Sequence, residues 1–159
     1  MEAVKEAVIS GLQGAFIHSD PLVILKDLTP EIARKKALGF THSCWDLLYH
    51  TVIWNDIFLG NIKGRVENWN PENNWPSPEE VENDDEFYKL LNRFEKNIQE
   101  TKGLIDSSLE NLNKAQKISN SNTHELTLMK LFMTILQHIS YHMGQIACVR
   151  RIVDDWPPT

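Results

Sequence analysis

An all-α architecture, a bundle of four long helices occupying residues 1–159 as one domain, follows from three features of the sequence. Apolar residues recur at three- and four-residue spacing through four long segments. No repeat, low-complexity tract or β-hairpin signal breaks that pattern. The 159 residues, 42% hydrophobic and 24% charged, suit one sizeable core.

The first helix is carried by Val4, Ala7, Val8, Gly11, Leu12, Ala15 and Phe16, about four turns with one apolar face. Asp20-Pro21 closes it or opens a turn. Residues 19–41 connect, and Thr29-Pro30-Glu31 starts a short helical turn because proline suits the first helical position. A second helix runs over residues 43–59 on Leu47, Leu48, Val52, Ile53, Ile57 and Phe58, and Gly60 stops it. Residues 61–84 hold Trp69, Trp75, Gly64, Pro71, Pro76 and Pro78 and show neither helical nor strand period. Such a stretch is a binding loop or lid, or a loop pinned by its two tryptophans.

The third helix takes Phe87, Leu90, Leu91, Phe94, Ile98, Ile105, Leu109 and Leu112. Its beat strains near Thr101-Lys102-Gly103, where glycine costs about 1 kcal/mol relative to alanine. The acidic run at residues 79–86 suits the positive end of that helix. Residues 119–122 are a polar connector. Asn122 and Glu125 have the spacing of a capping box for a fourth helix. That helix continues through Leu126, Met129, Phe132, Met133, Leu136, Ile139, Met143, Ile146, Val149 and Val153 to Pro157-Pro158.

Sixteen Lys+Arg against 22 Asp+Glu give a net charge of −6. With no basic face to release counterions, nucleic acid is not an expected partner. No apolar run reaches the ~20 residues that span a bilayer. Residues 1–6 carry charges where a signal peptide needs its apolar stretch. Cys44 and Cys148 lack metal-type spacing and are expected to be buried small residues of a reducing, cytoplasmic protein.

Polar residues among apolar ones mark the candidate site. His138 and His142 are four residues apart, about 40° around a helix axis and one turn along it, so both imidazoles can reach one ion. His50 lies between Leu47-Leu48 and Val52-Ile53 in the second helix. If the second and fourth helices face each other, the three histidines cap one side of a metal and leave the other side for water or substrate. Otherwise they are hydrogen-bonded core residues. Asp46, one turn before His50, either orients a metal-bound imidazole or is a first-turn carboxylate favoured by the helix dipole. Gln145 bonds a ligand or a backbone group, or serves a helix contact. His18, His42 and His124 are expected in cap or surface roles, Trp45 and Trp54 in the core, and Tyr49 and Tyr141 in packing.

The stretch Thr41-His42-Ser43-Cys44-Trp45-Asp46-Leu47-Leu48-Tyr49-His50 resembles the second-helix signature of the DinB-like superfamily. His138-Ile139-Ser140-Tyr141-His142-Met143-Gly144-Gln145-Ile146 resembles its fourth-helix motif, with Ile139-Ser140 where many members carry Asn-Ala. The exit from Val149-Arg150-Arg151 to Trp156-Pro157-Pro158 fits as well. The resemblance implies an up-down four-helix bundle, DinB-like, with one divalent ion held inside the bundle on His50, His138 and His142, often in a homodimer. It leaves Zn, Ni, Fe and Mn open. It also implies a small-molecule substrate. Some relatives are thiol-dependent S-transferases using bacillithiol, mycothiol or glutathione, some are metal-dependent hydrolases, and many have no assigned reaction. Neutral imidazoles leave an ion its full 2+ charge, which acidifies bound water and deprotonates a coordinating thiol. Thiol transfer is the expected reaction. Hydrolysis by metal-activated water, or metal binding and a stress role without catalysis, are the alternatives.

Overall fold

A computed structural model describes residues 2–15, 17–66, 70–118 and 125–157. Helix α1 is Glu2–Leu12, shorter than the periodicity suggests. Gly14 (φ 96°) and Ala15 (φ 45°) turn the backbone left-handed, which no helix can continue through. Phe16 lies outside the described residues, and Ala7 faces solvent. Two short helices follow. Asp20 accepts from the Leu22 N–H at the start of α2, Pro21–Ile24, and Thr29 caps α3, Pro30–Arg34.

Helix α4, Cys44–Ile62, opens on a capping box in which Ser43 and Asp46 satisfy each other's backbone N–H groups. It runs straight through Gly60 rather than ending there. The stop comes at Gly64 (φ 76°), whose N–H bonds the Asn61 carbonyl while the Arg65 N–H bonds that of Gly60. This is a Schellman end, where the left-handed residue beyond the last turn has to be the glycine. The segment that lacks periodicity carries a 3-10 turn at Pro71–Asn74 and helix α5, Pro78–Glu82, each opened by a side-chain cap. Trp69 lies outside the described residues.

Helix α6, Asp84–Ser108, passes Gly103 without interruption, since that glycine faces open space. A 3-10 turn at Leu109–Asn111 finishes it. Contrary to the sequence expectation, a hairpin follows. Strand β1, Ala115–Lys117, pairs antiparallel with β2, Glu125–Thr127, with Gln116 opposite Leu126. Three polar-rich residues per strand are too few to display a two-residue apolar alternation. Asn122 and His124 fall outside the described residues. Glu125 sits in a strand, so the last helix, α7 at Leu128–Ile152, starts later than the capping-box spacing implies. Thr127 caps it.

The architecture is thus all-α apart from that hairpin. Helix α4 packs on both α7 and α6, and α1 packs on the same two. Trp45, Leu48, Phe87, Phe94, Phe132, Ile135 and Ile139 are buried between them, each apolar side chain contributing about 1.5–3 kcal/mol against exposure. Among the described residues no helix is long and apolar enough to cross a membrane.

Arg150, near the end of α7, is buried. It bonds Asp155 and the carbonyls of Ile24 and Lys26, tying the C-terminal segment and α2 to α7.

Candidate metal centre

The packing of α4 on α7 brings His50, His138 and His142 together. Nε2 of His138 lies 3.2 Å from Nε2 of His50 and 3.1 Å from Nε2 of His142. All three ligand atoms fall within 4.8 Å of one another. Three nitrogens held about 2.0–2.1 Å from a tetrahedral ion stand about 3.3 Å apart, close to the two edges of the donor triangle that meet at His138.

Hydrogen bonding assigns the lone pairs. Nδ1 of His142 lies 2.7 Å from Oε1 of Gln145. A carbonyl oxygen only accepts, so Nδ1 carries the proton and Nε2 presents its lone pair to the cluster. The Gln145 amide nitrogen in turn donates to the Tyr141 hydroxyl at 3.5 Å. Gln145, one of the two residues expected around the ligands, therefore holds an imidazole rather than a backbone group. Asp46, the other, accepts from the Ser43 N–H and hydroxyl, both at 2.9 Å, and is engaged in the α4 cap. Nδ1 of His50 and Nδ1 of His138 are buried without a hydrogen-bond partner among the described residues.

Burial keeps these rings neutral. It pushes His138 down to about 3, helped by the neighbouring His142 and His50. His142 is lowered to about 4, chiefly by burial, although its bond to Gln145 opposes the shift. His50 is lowered by burial too, while the polar groups of Asn74 close to it favour its charged form. A neutral imidazole is the state that ligates a metal.

Trp75 completes the back of the site. Its ring stacks on His50 at 4.8 Å and on His42 at 3.7 Å, so it lies between the two imidazoles. Trp54, one turn past His50, donates its indole N–H to Asn74 Oδ1 at 2.9 Å and anchors the 3-10 turn over the site. A cleft of about 510 Å³ opens in front of the histidines, walled by Trp54, Phe58, Asn74 and Tyr141.

Several expectations change. Trp54 is half-buried on the cleft wall rather than in the core, and Tyr141 is 64% exposed rather than packed. His42 is stacked rather than a cap. His18 shares a hydrogen bond with the Ser140 hydroxyl across to α7. Cys148 is exposed, whereas Cys44 is buried and its thiol is pushed up to about 12 by burial, which keeps it inert. Asn74 and Trp75 were not singled out for the site. The spacing of Trp54 and Phe58, four and eight residues beyond His50, is the signal that puts both on the face of α4 that carries His50.

No curated protein matches the sequence. A family model does: the DinB superfamily, over residues 19–146, a span that includes all three histidines, the whole of α4 and most of α7. The chain belongs to that superfamily.

Proposed function

We propose that this DinB-superfamily protein binds one divalent cation through His50, His138 and His142 and activates a low-molecular-weight thiol for transfer to an electrophile. The observation that carries the reading is the convergence of three neutral Nε2 donors at ion-binding spacing beside an open cleft. A bound cation supplies the Lewis acidity that strips a thiol of its proton in its open position.

The chain's own residues do the rest. Gln145 holds His142 in the ligating tautomer, and Trp75 sets the plane of His50. Trp54, Phe58 and Tyr141 form an apolar wall against which a soft sulfur nucleophile is favourably seated. In the transfer, the thiol proton passes to solvent, a carbon–sulfur bond forms, and the electrophile loses its leaving group. The lining also favours thiol over water as nucleophile. Among the described residues no carboxylate lines the cleft to act as the base that metal-assisted hydrolysis commonly employs. Assembly as a homodimer belongs to the same proposal and is checked by sedimentation.

Elemental analysis of tag-free protein tests the site, beside the His138→Ala/His142→Ala double variant. About one equivalent of metal, lost in the variant, is expected. The same analysis decides between Zn, Ni, Fe and Mn. The loaded protein should then accelerate conjugation of a thiol to an electrophile. Turnover of esters or amides without any thiol would replace this reading with hydrolysis. Inactivity in both panels would leave a metal-binding protein.

A further inference from the structure

We infer that the cleft beside the three histidines selects an uncharged ligand with a flat apolar body, so that its thiol is neutral rather than carboxylate-bearing. This deepens the proposed function and rests on that cleft being the substrate site.

Three observations carry it. First, the wall is aromatic. Trp54, Phe58 and Tyr141 present rings to a cleft large enough for a small aromatic molecule, and such rings pair with a flat ligand through offset or edge contacts. Second, no Asp, Glu, Lys or Arg lines it among the described residues. The polar groups on offer are the Asn74 amide and the Tyr141 hydroxyl, enough to orient a neutral head group. A ligand carboxylate that does not reach the ion would lose its water without gaining a cation, which is costly.

Third, the molecule places its charges elsewhere. A second cavity, about 320 Å³ on another side of α4, is rimmed by Asp56, Glu80, Glu86, Lys89 and Arg93. Of these, Asp56 stands on α4 itself, yet on the side away from the histidine cleft. The net charge of −6 adds a long-range field that disfavours an anionic ligand further.

The test loads the full chain with Co²⁺ and titrates benzyl mercaptan, 2-mercaptoethanol and mercaptosuccinate, reading the sulfur-to-cobalt charge-transfer absorption. Benzyl mercaptan should half-saturate at a concentration about tenfold below either of the others, the scale of aromatic contacts in a cleft. Phe58→Leu, which keeps bulk but removes the flat face, should shrink that advantage with cobalt stoichiometry unchanged. Equal binding of mercaptosuccinate and benzyl mercaptan would overturn the inference. A second pair separates its failure from that of the thiol reading: 4-nitrobenzyl alcohol and 4-nitrobenzoate, added to metal-free protein and read by quenching of tryptophan emission. If cobalt binds and no thiol gives a band, the thiol reading falls. Preferential quenching by the alcohol then still supports the uncharged-ligand inference, and equal quenching overturns it.

Discussion

His142 differs from its two companions in having its outer nitrogen held. The Gln145 carbonyl oxygen accepts the hydrogen bond from Nδ1–H, and partners of this kind raise ligand basicity and lock the ring. Gln145→Leu should weaken metal binding by about 10–100-fold, measured by chelator competition, with little change in helical content. Gln145→Glu, which restores an acceptor, should recover most of the loss. The three histidines were legible as a group because a four-residue spacing on an apolar helix puts two imidazoles on one face. Trp75 was not, since stacking between His42 and His50 joins residues far apart in sequence. Asp46 was ambiguous for a related reason: one carboxylate at the start of a helix serves a cap or a neighbouring ring equally well, and only packing decides.

The histidines also make stability depend on pH. His138 and His142 are held below the ordinary value of 6.5, so between those limits the unfolded chain binds more protons than the folded one. Stability is therefore full above about pH 6.5 and is lost as pH falls toward the folded values, by at most about 1.4 kcal/mol per pH unit for each ring. Urea midpoints of metal-free protein at pH 7.5 and 5.0 should show that loss. The His138→Gln/His142→Gln variant should flatten it.

At the scale of the element, two glycines test how helices end. Gly64 closes α4 at φ 76°, so Gly64→Ala should destabilise by about 1–2 kcal/mol. Gly103 sits inside α6 with open space where a side chain would go, and Gly103→Ala should stabilise by about 0.5–1 kcal/mol. Thermal melts of the two variants should move in opposite directions. Glycines 60, 64 and 103 read alike in a sequence, because residue type records a low helix propensity but not the local φ. Helix interiors were legible from apolar spacing. Boundaries were legible unevenly: the start at residue 43 matches the Ser43 cap, whereas the Thr127 cap and the end at Gly64 depend on where the chain must turn.

Across the whole molecule, one buried cation joins parts that periodicity treats separately. Arg150 reaches Asp155 as well as the carbonyls of Ile24 and Lys26. Arg150→Met should lower stability by about 1–3 kcal/mol in denaturant unfolding, because a half-buried carboxylate partner and two carbonyls lose their donor. Arg150→Lys should recover little, since an ammonium cannot imitate the planar fork. An arginine in the last turn of a helix reads as a surface residue favoured by the dipole, so this tie was invisible without the packing of α2 and the C-terminal segment around it. The helical framework itself was readable because each long helix buries a stripe of its own.

The three histidines stand on α4 and α7, two long helices locked into the core, as do Trp54, Phe58 and Tyr141, whereas Asn74 and Trp75 come from a short turn laid across them. Two kinds of support therefore meet at the cleft: rings fixed by the long helices, and an amide and an indole delivered by the turn at residues 71–75. Substitutions in that turn would alter what borders the histidines while the helices that carry them stay intact.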